Sequence, residues 1–106
     1  VEDSDGVRMR FAVSWRERLR GLLLRETTDE VLVLVPCSDV HTWGMRRAID
    51  IAFVDGCGRV LAAHCNVGPC RRVRHPRAKM TLERFSRDDV EWFRTGDQIR
   101  IVRLKG

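Results

Sequence analysis

Apolar residues fall into short runs along this chain, and most of those runs have the two-residue period of strands. Val7, Met9, Phe11 and Val13 alternate with polar or small neighbours, which predicts a half-buried strand. Ser14 and Glu17 then form a Ser-x-x-Glu capping box, a spacing that satisfies two orphan donors at a helix start. A short helix is expected over 15–25, with Trp15, Leu19, Leu22 and Leu23 on one face and Arg16 and Arg20 toward water. VLVLV at 31–35 is a continuous apolar run, the pattern of a strand buried on both faces, and Pro36 ends it. Residues 37–48 read as a polar, irregular segment. Ile49, Ile51 and Phe53 mark one face of the next strand, 49–54. The DGCG turn at 55–58 predicts that RVLAAHC folds back as the second strand of a hairpin.

Beyond the hairpin, 66–78 holds two prolines and a cluster of Arg, which predicts an exposed loop or edge. KMTLERF at 79–85 reads as a further strand. Ser86, with Asp89 three positions on, predicts a capped short helix over 87–94 carrying Val90, Trp92 and Phe93. Thr95-Gly96-Asp97 then turns into a last strand, QIRIVRL. The outline is mainly β with two short helices. Residues 1–6 form a polar N-terminal tail and 7–106 a single domain, since 106 residues and 12.3 kDa suit one core and no more.

Composition narrows the classes further. With 43% apolar and 33% charged residues, the chain is expected to fold rather than stay disordered. No run approaches the roughly 18 apolar residues of a membrane-spanning helix. The chain begins at Val1 instead of Met, so an upstream segment is expected to have been removed. VEDSDG lacks a signal-peptide pattern, which favours the cytoplasm, or an extracytoplasmic site if a signal sequence has been cleaved. Cys37, Cys57, Cys65 and Cys70 match no CxxC element; free thiols are expected, with a disulfide as the alternative. Cys37 and His41 are four apart, as a ligand pair could be, but Cys65 and Cys70 lack knuckle spacing and His64 and Cys65 would alternate faces on a strand, so no metal and no cofactor is assigned.

The net charge of +5 is unevenly spread. Residues 59–87 carry eight Lys or Arg against one acid, Glu83, whereas 26–58 carry six acids against two Arg. Arg71, Arg72, Arg74 and Arg77 are therefore candidates for gripping phosphates or another acidic partner. The alternative is a solubilising loop whose charges discourage strand pairing. Nucleic acid is the less favoured partner, because 54–84 has no aromatic residue on which a base could stack.

The most unusual loop is His41-Thr42-Trp43-Gly44-Met45, followed by Asp50. A His, a hydroxyl and a carboxylate can orient a small polar ligand or move a proton. Equally, they can bond to backbone groups and lock the loop over the sheet, with Gly44 supplying an unusual backbone angle and Met45 plugging the core. His41, Thr42, Trp43, Met45 and Asp50 are the ligand-binding candidates, and no catalytic residue is assigned. The block PCSDVHTWGMRRAIDIAFVD at 36–55 resembles domain of unknown function family 192, a small prokaryotic domain. The family's pattern is matched here by His41, Thr42, Gly44, Met45, Ile49, Asp50, Phe53, Asp55, Gly58, Val60 and Leu61. ERLRGLL at 17–23 and TGDQI at 95–99 extend the similarity over 7–104. Two elements depart from it: Val67-Gly68-Pro69-Cys70 stands where members have a Pro-Pro-Trp-like element. Thr81-Leu82-Glu83-Arg84-Phe85 stands for Val-Leu-Glu-Leu-Pro. The resemblance implies a compact β-sandwich or barrel-like fold and no established activity. The combined reading is a non-catalytic binding or accessory domain, with an enzyme using His41 and Asp50 as an acid–base pair, or an anion binder through 71–77, as alternatives.

Overall fold

A computed structural model describes residues 2–3, 9–12 and 31–102, with side chains over 31–100. Its strands are β1 (Glu2–Asp3), β2 (Met9–Ala12), β3 (Val31–Leu34), β4 (Asp39–His41), β5 (Ile49–Val54), β6 (Val60–Val67), β7 (Arg72–Arg74), β8 (Met80–Phe85) and β9 (Ile101–Val102). Five of them form one sheet in the order β2-β3-β8-β5-β6. β2 and β3 run parallel, and every other neighbouring pair in the sheet is antiparallel. β1 pairs with β9, and β4 with β7, as two-stranded ribbons.

β3, β5 and β8 lie inside the sheet, and β3 and β5 are buried along their whole length; the continuous apolar run of β3 predicts this, whereas β5, expected to have one apolar face, buries Asp50 on the other as well. Strand alternation divides their side chains between two apolar layers. Leu32, Leu34, Ile49, Ile51, Phe53 and Phe85 pack on one face with Val40, while Val73 and Met45 cover them from the β4–β7 side. Val31, Val33, Ala52, Val54 and Leu82 pack on the other face with Trp92 and Ile99. The ribbon thus roofs one side of the sheet, and the 86–99 segment roofs the other.

The hairpin forms as its turn predicts: the Asp55 carboxylate accepts the Cys57 and Arg59 amides at 2.8 and 3.0 Å, and β5 pairs with β6. The strand at 80–85 forms as well. Two expectations need correction. The 37–48 segment, read as irregular, contains β4, which pairs with β7 from the stretch expected to be an exposed loop or edge. No helix forms over 87–94, where the chain is irregular. The reason is tertiary competition for the groups a helix needs. Ser86 donates its hydroxyl to Asp50 at 2.7 Å instead of capping a helix. Arg84 donates to the Val90 carbonyl at 2.7 Å, and the Trp92 indole N–H is drawn to the Ile51 carbonyl at 3.0 Å. Asp89, expected in a first helical turn, pairs with Arg87 at 2.6 Å. The other expected helix, 15–25, lies outside the described residues. Among the described residues, no helix is long and apolar enough to cross a membrane.

Candidate functional site

The β4–β7 ribbon pairs Asp39 with Arg74, Val40 with Val73, and His41 with Arg72. Val40 and Val73 pack onto the core, so alternation turns Asp39, His41, Arg72 and Arg74 outward. On that outer face Arg72 grips Asp39 with two parallel bonds, Nε–Oδ1 at 3.1 Å and Nη2–Oδ2 at 2.6 Å. The hydrogen bond from Arg72 holds the Asp39 carboxyl below its ordinary range, despite some opposition from burial. His41 Nε2 lies 3.8 Å from the same carboxylate, with its ring half exposed. Arg71, Arg74 and Arg77 are exposed, and no ion pair engages their guanidinium groups among the described residues.

Thr42 closes the end of the ribbon. It is fully buried. Its hydroxyl donates to the Gly68 carbonyl at 2.7 Å and accepts the Arg71 amide at 2.8 Å. Its own amide donates to the Arg71 carbonyl at 2.9 Å, and its carbonyl accepts the Met45 and Cys70 amides at 3.2 and 3.3 Å. Gly44 makes the turn at φ 78°, a left-handed conformation that a side chain resists. With Thr42 and Met45 both drawn inward, Trp43 is left on the outside, 74% exposed. The latch joins two segments, 41–45 and 68–71, that are far apart in sequence.

Replacing Thr42 by Val keeps the shape and removes the hydroxyl, leaving the Arg71 amide and Gly68 carbonyl without their partner. Thr42→Val is expected to lower stability by about 2 kcal/mol. Hydrogen exchange should show the Arg71 amide losing protection, whereas the β5 amides keep theirs. Unchanged protection at Arg71 would mean the hydroxyl is not the latch.

Asp50 occupies a different place. It lies between Ile49 and Ile51 on β5, so its side chain enters the opposite face from theirs. It is 2% exposed. Arg84 Nε donates to Oδ2 at 2.8 Å, while Oδ1 accepts the Ser86 hydroxyl at 2.7 Å and the Asn66 amide at 3.0 Å. The Arg84 guanidinium also stacks over Trp92, 4.8 Å from the ring centroid. His41 and Asp50 are therefore not brought together: the sheet separates them. Thr42, Trp43 and Met45 stay with His41, and the Arg loop joins them.

Arg84, Ser86 and Glu83 shape the electrostatics around β8, and the sequence singled out none of them as a site residue. Asp50, which binds Arg84 and Ser86, lies on another strand, and Glu83 is set apart by burial alone, so no local spacing could single them out. Cys37 is buried, and Cys57, Cys65 and Cys70 are exposed; none forms a disulfide. Burial pushes the Cys65 thiol upward, helped by the Asp50 charge.

A Novosphingobium aromaticivorans DSM 12444 protein of unknown function has a similar fold, with a TM-score of 0.67 and 20% identity over 76% of this chain. This chain spans 64% of that protein's length. A Sinorhizobium meliloti 1021 protein described as a "putative transcription regulator" superposes with a TM-score of 0.67 and 17% identity, covering 78% of this chain and 74% of its own. No curated protein matches the chain significantly. The model of the DUF192 family, described as an uncharacterized ACR, matches residues 1–101. The chain therefore belongs to the DUF192 family.

Proposed function

We propose that this chain is a non-catalytic binding or accessory domain that holds an anionic partner on the outer face of the β4–β7 ribbon. The observation that carries this reading is that one ribbon joins the exposed Arg71, Arg74 and Arg77 to the exposed His41 and Trp43, with Arg71 at the latched end next to Trp43 and Arg74 at the other end, opposite Asp39. Guanidinium groups without an ion-pair partner lose little when an anion arrives, since no existing salt bridge must be broken. Arg72 has a different role: its two bonds to Asp39 stiffen the ribbon between the other guanidiniums. Thr42 and Met45 act as supports that set the loop's shape, and Asp50 holds the far side of the sheet. The acid–base alternative gains no support from this arrangement, because the Asp50 carboxylate is engaged by three partners.

Heparin retention tests the proposal. The triple variant Arg71→Ala, Arg74→Ala, Arg77→Ala should elute at clearly lower salt than the parent. Each guanidinium withdrawn from the bound anion should flatten the salt dependence of binding by somewhat under one unit of log–log slope. All three side chains are exposed, so thermal unfolding of the variant should stay close to that of the parent. An unchanged elution position overturns the proposal.

A further inference from the structure

We infer that the anionic partner of this surface is a single-stranded nucleic acid, with Trp43 as the platform on which a base stacks. This rests on the binding role proposed above and names its occupant. In sequence, the Arg cluster lacks an aromatic neighbour: the nearest on its N-terminal side is Phe53 and on its C-terminal side Phe85, and both are buried. The fold supplies what the local sequence lacks. Thr42 binds Arg71 through its amide and its hydroxyl, which sets Trp43 one residue from that junction. Cationic side chains that track a backbone, beside an aromatic face, are the two parts that single-strand recognition combines.

The exposure of Trp43 is itself informative. Trp is usually well buried on average, and burial of its large surface is favourable. Here the residues around it are fixed so that it stays out: Thr42 is wholly buried, Met45 packs on the core, and Gly44 takes a left-handed turn. A duplex keeps its base faces stacked inside and offers a lone indole nothing to stack on. An acidic peptide satisfies the guanidiniums but leaves the indole unused. A membrane surface calls for an apolar set on one face. Among the described residues, however, the exposed large apolar side chains are Trp43 and Val90 alone.

The test measures binding of a labelled dT20 oligonucleotide, a 20-base-pair duplex and phosphatidylserine vesicles to the parent, Trp43→Ala, Trp43→Phe, Trp43→Leu and the triple Arg variant. Trp43→Ala should weaken dT20 binding about 5- to 100-fold, the loss of one base stack. Trp43→Phe should recover most of it and Trp43→Leu little, while thermal unfolding of all three stays close to that of the parent, because the side chain is exposed. The triple Arg variant should lose both dT20 and heparin binding. The inference is overturned if Trp43→Ala binds dT20 like the parent, or if the duplex binds as tightly as dT20. Trp43-dependent binding to vesicles without binding to dT20 also overturns it. Those outcomes leave the anion-binding role standing if heparin retention still depends on the arginines; loss of that dependence removes the role itself.

Discussion

Asp50→Ala should cost about 3–5 kcal/mol of folding stability, the penalty for leaving a buried charge without its partner. Arg84 has a side-chain exposure of only 7%, so its guanidinium cannot turn to water once the carboxylate is gone. The Ser86 hydroxyl and the Asn66 amide lose their acceptor in the same step. A domain of this size has on the order of 5–15 kcal/mol in total, so the variant should unfold at a much lower urea midpoint. Asp50→Asn should also be costly, because it keeps an oxygen acceptor yet leaves Arg84 uncompensated. The double variant Asp50→Leu, Arg84→Met should be milder than either charge-removing single change, since apolar residues can replace a buried ion pair at little net cost. If Asp50→Asn unfolds within about 0.5 kcal/mol of the parent, the carboxylate does not hold β5, β6 and β8 together as described.

Glu83→Gln should do the opposite at neutral and higher pH. Glu83 is 7% exposed on β8, in register with Leu32 on one side and Ile51 on the other. No charged or hydrogen-bonding partner holds its carboxyl among the described residues, and burial raises its pKa from 4.5 to about 7. In the unfolded chain the group ionises near its ordinary value. Between pH 4.5 and about 7 the unfolded state therefore sheds a proton that the folded state retains. Stability is full below pH 4.5, falls as pH rises through this window, and stays low above it. The loss is roughly 3 kcal/mol, an order-of-magnitude figure. Glu83→Gln removes the titration, so its unfolding midpoint should be nearly flat from pH 4.5 to 8 where the parent's falls. The variant should exceed the parent most at pH 8. Parallel pH profiles for the two proteins would show that Glu83 is ionised in the fold at little cost. Asp39 and Asp89 contribute with the other sign. Arginine bonds lower both carboxyls, so their stabilisation is present above the ordinary carboxylate range and lost only as pH falls through their depressed values.

These two acids show how far the sequence can be read. Both sit in runs that predict strands, and both strands form. In sequence, Asp50 looks like a polar anchor beside His41 and Glu83 like a lone acid in a basic stretch. Their environments depend on strand order, which sets β8 between β3 and β5 and so faces Asp50 with Arg84 and Glu83 with apolar neighbours. Local spacing contains no record of partners 34 and 36 positions away.

The 87–94 segment teaches the same lesson from the other side. Ser86 and Asp89 have cap spacing, and the apolar residues suit a short helix. A helix of about two turns gains little by itself, however, because nucleation fixes several residues for one hydrogen bond. Arg84 and Trp92 offer stronger tertiary bonds, and the local preference loses.

By itself, the sequence determined the mainly β character, the hairpin of 49–54 with 59–65, the buried strand within 31–35, the strand within 79–85 and the uneven charge. Each of these rests on side-chain period, turn chemistry or composition, which are local properties. Only the tertiary structure decided that the HTWGM loop is bonded to the Arg loop through Thr42 and Arg71 while His41 and Asp50 lie on opposite sides of the sheet. That outcome depends on the long-range pairing of β4 with β7 and on the alternation of side chains across β5. A shift of one residue in the ribbon would turn His41 inward and Val40 outward, so the facing of the ribbon's candidate residues follows from a register that no neighbouring residue specifies.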